Sequence, residues 1–247
     1  MHKLHQRYQL QATWTAHNRQ RLYASFNLQP SSRILEVGSG TGVITRELGS
    51  SHVYGVDIDT HAVAFASERD PHSNYAIADG YRLPFKGAVF DVALCHYLLL
   101  WVAEPNMILD EMLRVTRPGG MLAATAEPDY GGRVDHPSTL VELGRLQARA
   151  LSARGADPKM GRKLRALFSM AGLQQVFAGV LAGEWQSSAD EAAFASEWDM
   201  LRQDLGSDLS DQELEAFRKV DRDATAHGER ILYVPTFYAV GTVAHDK

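Results

Sequence analysis

Between Arg33 and Ala126 the chain alternates two kinds of segment. Short, nearly unbroken apolar runs appear as RILEV (33–37), HVYGVD (52–57), NYAIAD (74–79), FDVALC (90–95) and MLAATA (121–126). Runs of this length without polar alternation predict strands covered on both faces. Between them, TGVITRELG (41–49), THAVAFASER (60–69) and PNMILDEMLRVTRPGG (105–120) predict helices. In the last of these, Ile108, Met112 and Val115, with Leu109 and Leu113, line one face. A proline opens that segment and Pro118-Gly119-Gly120 closes it, the asymmetry that helix ends favour. Strands and helices alternating at this spacing predict βαβ units, hence a parallel sheet with helices on both faces.

The flanks carry a helical period. Leu10, Trp14, Leu22 and Phe26 predict a helix over residues 5–27, stopped by Pro30. Residues 138–171 predict two helices, 173–185 a strand, and 188–227 two more helices rich in Asp and Glu. The closing ILYVPTFYAVGTV (231–243) predicts one strand, with Pro235 setting its first half at an edge or bulge. One domain with four parts is expected: an N-terminal helical segment (1–32), a sheet core (33–130), a helical insertion (131–172), and a last part (173–247) that supplies two more strands around a second insertion at 186–230.

Composition narrows the partners. The formal net charge is -5, with no Lys/Arg tract, which disfavours binding through neutralised phosphates, so no nucleic-acid partner is expected. A single cysteine, Cys95, excludes a disulfide within the chain, and the scattered histidines show no metal-ligand spacing, so no metal is expected. The start MHKLHQRYQL lacks the apolar stretch of a signal peptide. The most apolar segment, VALCHYLLLWVA (92–103), has 12 residues, too few to span a bilayer. A cytoplasmic protein without a membrane partner is the expectation; the oligomeric state is left open.

The candidate chemistry begins at ILEVGSGTG (34–42), where Glu36 sits inside an apolar strand and Gly38, Gly40 and Gly42 follow at alternate positions. Ligands of parallel sheets bind beyond the carboxyl ends of the strands, and glycine lets them approach the backbone. Asp57 ends the second strand, 19 residues after Gly38, where a carboxylate can accept from ribose hydroxyls. Asp79 ends the third, where it can accept from an adenine amino group beside the Gly80 amide. A dinucleotide-dependent oxidoreductase would share the acid after strand two, but its glycine pattern wants Gly or Ala where this chain has Val43.

With ILEVGSGTG, YGVDID, IADGYRLPF, FDVALCHYLLLWV and LRVTRPGGML in this order, residues 33–126 resemble the class I S-adenosylmethionine-dependent methyltransferases, and FYAVGTV is similar to the family's last strand. The resemblance implies a Rossmann-like α/β fold, mostly parallel, with a final antiparallel strand and here a helical cap. It implies S-adenosylmethionine as cofactor, S-adenosylhomocysteine as product, and O- or N-methylation of a small molecule by in-line transfer. By it, Glu36 anchors the glycine turn and the amino group of the methionine part, while Gly38, Ser39, Gly40 and Gly42 wrap that part. Asp57 holds the ribose, Ile58 packs on adenine, Asp79 and Gly80 read the adenine edge, and the backbone at His96 sits near the sulfonium. The family's short hairpin between its last two strands is replaced here by residues 186–230. A non-catalytic cofactor-binding or sensor protein is the alternative.

Trp14 is expected to staple the first helix to the core or, with Arg19, to close over the cofactor. His96 and Tyr97 follow strand four and are candidates for the proton-handling group, the other reading being an aromatic pair packed beneath the cap. EPDYGGRVDHP (127–137) is too polar for core. From it Glu127 and Asp129 are candidates for acceptor contact or for taking a proton, and Asp135 is expected to be structural. Cys95 is expected to be a buried small hydrophobe.

Overall fold

The computed structural model describes residues 1–48, 52–181, 191–206 and 208–245. Nine strands and eight helices are seen among them. β1 (Ile34–Val37), β2 (Val53–Asp57), β3 (Asn74–Ile77) and β4 (Phe90–Cys95) are parallel neighbours, and β5 (Thr116–Pro128) joins them in the same sense. β9 (Thr236–Thr242) runs antiparallel to β5 and to β7 (Gln174–Val180), giving the order β3-β2-β1-β4-β5-β9-β7. The mostly parallel sheet with one antiparallel strand is the expected one. β1 and β4 are almost wholly buried, which is why they read as unbroken apolar runs.

Each face is covered by helices whose stripes the sequence shows. On one face α4 (Pro105–Val115) and α6 (Leu164–Met170) press Ile108, Leu109, Met112, Val115, Leu164 and Phe168 against Leu35, Ala93 and Leu122. On the other, α1 (His2–Ser25) brings Ala12 and Leu22, and the turn beyond it Phe26, against Ile34, Val53, Val92 and Leu94, beside Ile44 of the short α2 (Val43–Glu47). Each fully buried side chain of this size contributes roughly 1.5–3 kcal/mol. α3 (Thr60–Arg69) is capped by the Asp59 carboxylate, which accepts from the amides of His61 and Ala62. A third apolar cluster joins α5 (Val141–Ala153), α7 (Glu191–Leu205) and α8 (Asp211–Ala226) through Leu143, Trp198, Leu201, Leu205 and Leu214. Among the described residues no helix is long and apolar enough to cross a membrane.

Four boundaries differ from the sequence expectation. α1 begins at His2 and ends at Ser25, and the chain turns at Asn27 (φ 48°), ahead of Pro30. β3 stops at Ile77: the Ala78 amide still donates to the Asp57 carbonyl, and the Asp79 carbonyl then accepts from the Arg82 amide in a turn. α4 ends at Val115 and β5 already begins at Thr116, with an irregular register up to Val92↔Met121 that absorbs Pro118 and its two glycines. The closing segment is two strands. β8 (Ile231–Tyr233) leaves the main sheet to pair with β6 (Val134–His136), and Pro235 lies at the break before β9. Of the strand expected over 173–185, residues 182–185 lie outside the described residues, as do 186–190 of the second insertion.

Candidate functional site

The turn from β1 to α2 needs glycine for two reasons. Gly38, Gly40 and Gly42 all have positive φ (78°, 50° and 79°). A β-carbon at Gly38 would lie 2.8 Å from Leu98 Cδ1, and one at Gly42 would lie 2.6 Å from the Tyr75 hydroxyl. The amides of Gly38 and Ser39 donate to the Val56 carbonyl, at 2.8 and 3.0 Å, and tie the turn to β2. Asp57, at the end of β2, completes the tie: its Oδ2 accepts from the Gly40 amide and its Oδ1 from the Asp59 amide.

Glu36 lies inside β1, 1% exposed, and its carboxyl accepts from the Thr45 hydroxyl of α2. Burial pushes its pKa up to about 8, against the pull of the Thr45 hydrogen bond. Beside it, the hydroxyl of Ser39 is buried without a hydrogen-bond partner among the described residues.

These groups face a cavity of about 800 Å³ between the sheet edge, α1 and the cap helices. Its floor includes Glu36, Gly38, Ser39, Gly40 and Asp57, and the end of β4 adds His96, Tyr97 and Leu98. Tyr8, Gln11, Trp14 and Thr15 of α1 form one wall. Tyr8 lies over the glycine turn, within 3.3 Å of where a Gly40 β-carbon would be, and His5 Nδ1 meets Thr41 Oγ1 at 3.0 Å. The cap wall is charged but largely self-paired. Arg133 grips Asp135 with two contacts (2.7 and 3.0 Å) and donates to Gln147 at 2.6 Å, Arg154 pairs with Asp204 at 2.9 Å, and Arg230 reaches both Asp135 and Asp221. Glu197 faces the same space, its pKa raised by burial and by nearby Asp221.

The structure thus brings Glu36, Gly38, Ser39, Gly40, Asp57, His96, Tyr97 and Trp14 to one cavity. Trp14 does not staple α1 to the core; it is 49% exposed. Gly42 packs under Tyr75. Ile58 is 70% exposed directly after Asp57. Asp79 is exposed and caps its own turn by accepting from the Tyr81 amide at 2.9 Å, while Gly80 sits over Ile108.

Three candidates are turned elsewhere. Arg19 does not lie over the cavity: it is fully buried, donates to Glu47 through Nε (2.8 Å) and to Thr15, and locks α1 to α2. Glu127, fully buried, accepts the amides of Leu98, Leu99 and Leu100 at 2.9, 2.7 and 3.1 Å, so both oxygens serve the loop after β4. Burial raises its pKa to about 8 while those three amides pull it down. Asp129, 3% exposed, pairs with Arg162 and accepts the Gly131 amide, and it is not among the residues that line the cavity. Asp135 is structural, between Arg133 and Arg230. Cys95 is fully buried, and its thiol is pushed well above the usual range by that burial. Sequence reasoning missed Tyr8, Gln11 and Thr15 and the cap residues Gln147, Glu197, Asp204 and Arg230; helical periodicity places them on helices, but nothing in it says which face meets the sheet edge.

Comparison with known proteins bears on the same region. Residues 35–124 match the methyltransferase-domain family. Demethylmenaquinone methyltransferase of Corynebacterium glutamicum is 35% identical over 109 residues, 44% of this chain and 46% of that protein, and the Corynebacterium urealyticum protein of the same name is 38% identical over 112 residues, with the same coverage. The chain therefore spans about half the length of the curated relatives it matches. Among solved structures, phosphoethanolamine N-methyltransferase 2 of Haemonchus contortus, in complex with phosphomonomethylethanolamine and S-adenosylhomocysteine, superposes with a TM-score of 0.61 at 16% identity, over 93% of this chain and 53% of that one. The YcgJ protein of Bacillus subtilis gives 0.58 at 16% identity, over 94% and 100%. Residues 35–124 are thus similar to a methyltransferase domain, and the whole chain shares the fold of these solved structures.

Proposed function

We propose that the protein is a methyltransferase that uses S-adenosylmethionine to methylate a small molecule held between the sheet edge, α1 and the cap. The observation that carries this reading is the convergence of Glu36, the glycine turn and Asp57 on one cavity, with Ser39 and His96 also in its lining. The residues suit this cofactor. Glu36 offers its carboxylate to a cationic amino group, directly or through water. Gly38 and Gly40 admit the methionine part to the backbone, and Asp57 keeps lone pairs for ribose hydroxyls. Ile58, Asp79 and Gly80 stand in sequence after β2 and β3, where an adenine would lie.

When bound, the cofactor supplies an electrophilic methyl group on a sulfonium, so the protein's share is orientation and the exclusion of water. Proximity of this kind is worth roughly 7–11 kcal/mol in favourable cases. Tyr8 and Trp14 close one side, Leu98 and Tyr97 the floor, and the paired charges of the cap fix the far wall. The family match ends at residue 124, before Arg133, Gln147, Glu197 and Arg230, so the acceptor is specified by residues outside the shared core.

Calorimetric titration with S-adenosylmethionine and S-adenosylhomocysteine tests the reading. Saturable binding of both is the expected outcome, together with release of S-adenosylhomocysteine when an acceptor is supplied. No saturable heat with either compound overturns it. Tight binding without turnover across amines, hydroxyls, thiols and carboxylates turns it into the reading of a non-catalytic binding protein.

A further inference from the structure

We propose that the methyl acceptor carries a cationic group, an ammonium or amidinium, apart from the atom that is methylated, and that the Glu197 carboxylate in the cap binds it. The inference rests on the methyltransferase reading above and deepens it.

Glu197 is singled out by elimination. Among the described residues five carboxylates line the cavity: Glu36, Asp57, Glu197, Asp204 and Asp221. Glu36 and Asp57 stand at the sheet edge and are assigned above to the cofactor. Asp204 pairs with Arg154 at 2.9 Å and accepts from Gln147 Nε2 at 3.0 Å. Asp221 accepts from Arg230 Nε and, at 2.8 Å, from the Trp198 indole. Glu197 is half-buried in the same wall and has no hydrogen bond or ion pair with any described residue.

Its own helix supplies no partner. Glu197, Met200, Leu201 and Asp204 follow the spacing of one face of α7, and all four line the cavity. The positions from which a basic side chain can reach Glu197 along the helix hold Ala193, Phe194, Met200 and Leu201. The surrounding wall spares no cation either. Arg133, Arg154 and Arg230 are balanced by Asp135, Asp204 and Asp221. Their terminal nitrogens are already spent: those of Arg133 on Asp135 and Gln147, those of Arg154 on Asp204 and the Gln203 carbonyl, those of Arg230 on Asp135 and the carbonyls of His136 and Ile231. Arg7, the remaining arginine of the lining, stands on α1 over the Tyr8 ring and donates to Gln203 Oε1 at 2.9 Å. Glu197 thus gives the cap wall a negative charge that no side chain there neutralises.

An unpaired carboxylate partly removed from water is costly. A neutral hydroxyl on a ligand would satisfy its oxygens and leave its charge in place. A cation answers both, through a hydrogen bond strengthened by charge. Burial and the charge of Asp221 act together against the ionised form of Glu197, and a bound cation opposes both. That cation is not the methylated atom, because a protonated nitrogen has no lone pair to offer the methyl carbon. The acceptor therefore has two ends, one nucleophilic and one charged. Leu151, Leu201 and Tyr130 of the same lining give the body between them an apolar surface.

Calorimetry on the full chain in complex with S-adenosylhomocysteine compares arylalkylammonium ions with the arylalkanols of the same skeletons. The ammonium member of each pair is expected to bind about 10–100-fold more tightly, and Glu197→Gln to bring the two together. Turnover with S-adenosylmethionine on acceptors ending in an ammonium, against the same acceptors ending in a hydroxyl, is expected to show the preference in KM. There Glu197→Gln raises KM for the ammonium compounds and leaves kcat nearly constant. A wild-type preference below about threefold, the worth of a solvated surface pair, overturns the inference, as does a preference that survives Glu197→Gln. Should Glu197→Gln not fold, Glu197→Met, a good helix former of similar length, takes its place in the same comparison. Titration of the wild type with S-adenosylhomocysteine alone separates the two claims. Its binding without an ammonium preference removes this inference alone, and absence of its binding removes the methyltransferase reading and this inference with it.

Discussion

Asp57 Oδ2 lies 2.7 Å from the Gly40 amide, so the acid that closes β2 also holds the turn that follows β1. Two adjacent strands are clasped at the point where the cavity opens, by a hydrogen bond strengthened by charge.

Changing Asp57 therefore has two effects. Asp57→Ala removes both the charge and the partner of Gly40, and S-adenosylhomocysteine affinity is expected to fall about 100-fold, or about 2.7 kcal/mol. Asp57→Asn keeps an acceptor for the turn and is expected to lose only about tenfold. Calorimetry on both variants checks the ranking; equal losses would mean that the turn depends on the charge itself.

Glu36 links affinity and stability to pH. In the folded protein its pKa is raised from 4.5 to about 8, so this carboxyl favours folding below pH 4.5, and that contribution fades as the pH climbs to about 8. A cationic ligand reverses the preference, because it binds the ionised form better. Binding of S-adenosylmethionine is expected to tighten from pH 6 to 8 and to release a proton, seen as a dependence of the calorimetric heat on buffer ionisation enthalpy. Glu36→Gln is expected to abolish the proton release and to reduce the pH slope of denaturant stability.

Glu127 separates a structural role from a chemical one. Glu127→Ala strands the amides of Leu98, Leu99 and Leu100 in the core, at about 1–3 kcal/mol each if none finds water. A loss of at least about 3 kcal/mol in urea unfolding is expected. A stability within 1 kcal/mol of wild type, about the worth of one such hydrogen bond, would show that the loop after β4 has other support.

Arg19 makes α1 part of the fold. Arg19→Ala is expected to cost about 3 kcal/mol and to expose residues 2–25 to limited proteolysis. Arg19→Lys should not restore it, since one ammonium cannot bridge Thr15 and both oxygens of Glu47 as the guanidinium does. Unchanged proteolysis of the alanine variant would mean that the apolar stripe of Ala12 and Leu22 holds the helix unaided.

How much of this was legible depends on where each preference originates. α3 and β4 have the bounds that their apolar period predicts, because a strand covered on both faces must be apolar throughout and a capped helix carries its start in its own residues. The split of 231–243 was not legible. β8 pairs with Val134–His136, almost a hundred residues away, and no local period distinguishes one long strand from two that serve different sheets.

The site divides along the same line. Glu36, the three glycines and Asp57 could be read from the chain because a strand–turn–helix crossing must bring them together at fixed spacing. Their number in sequence is almost their place in space. Glu127, Asp129 and Arg19 could not, because a carboxylate or guanidinium that meets a ligand and one that satisfies buried amides or another side chain are the same residue in a sequence. Only partners contributed from distant segments, Leu98 to Leu100, Arg162 and Glu47, decide which it is.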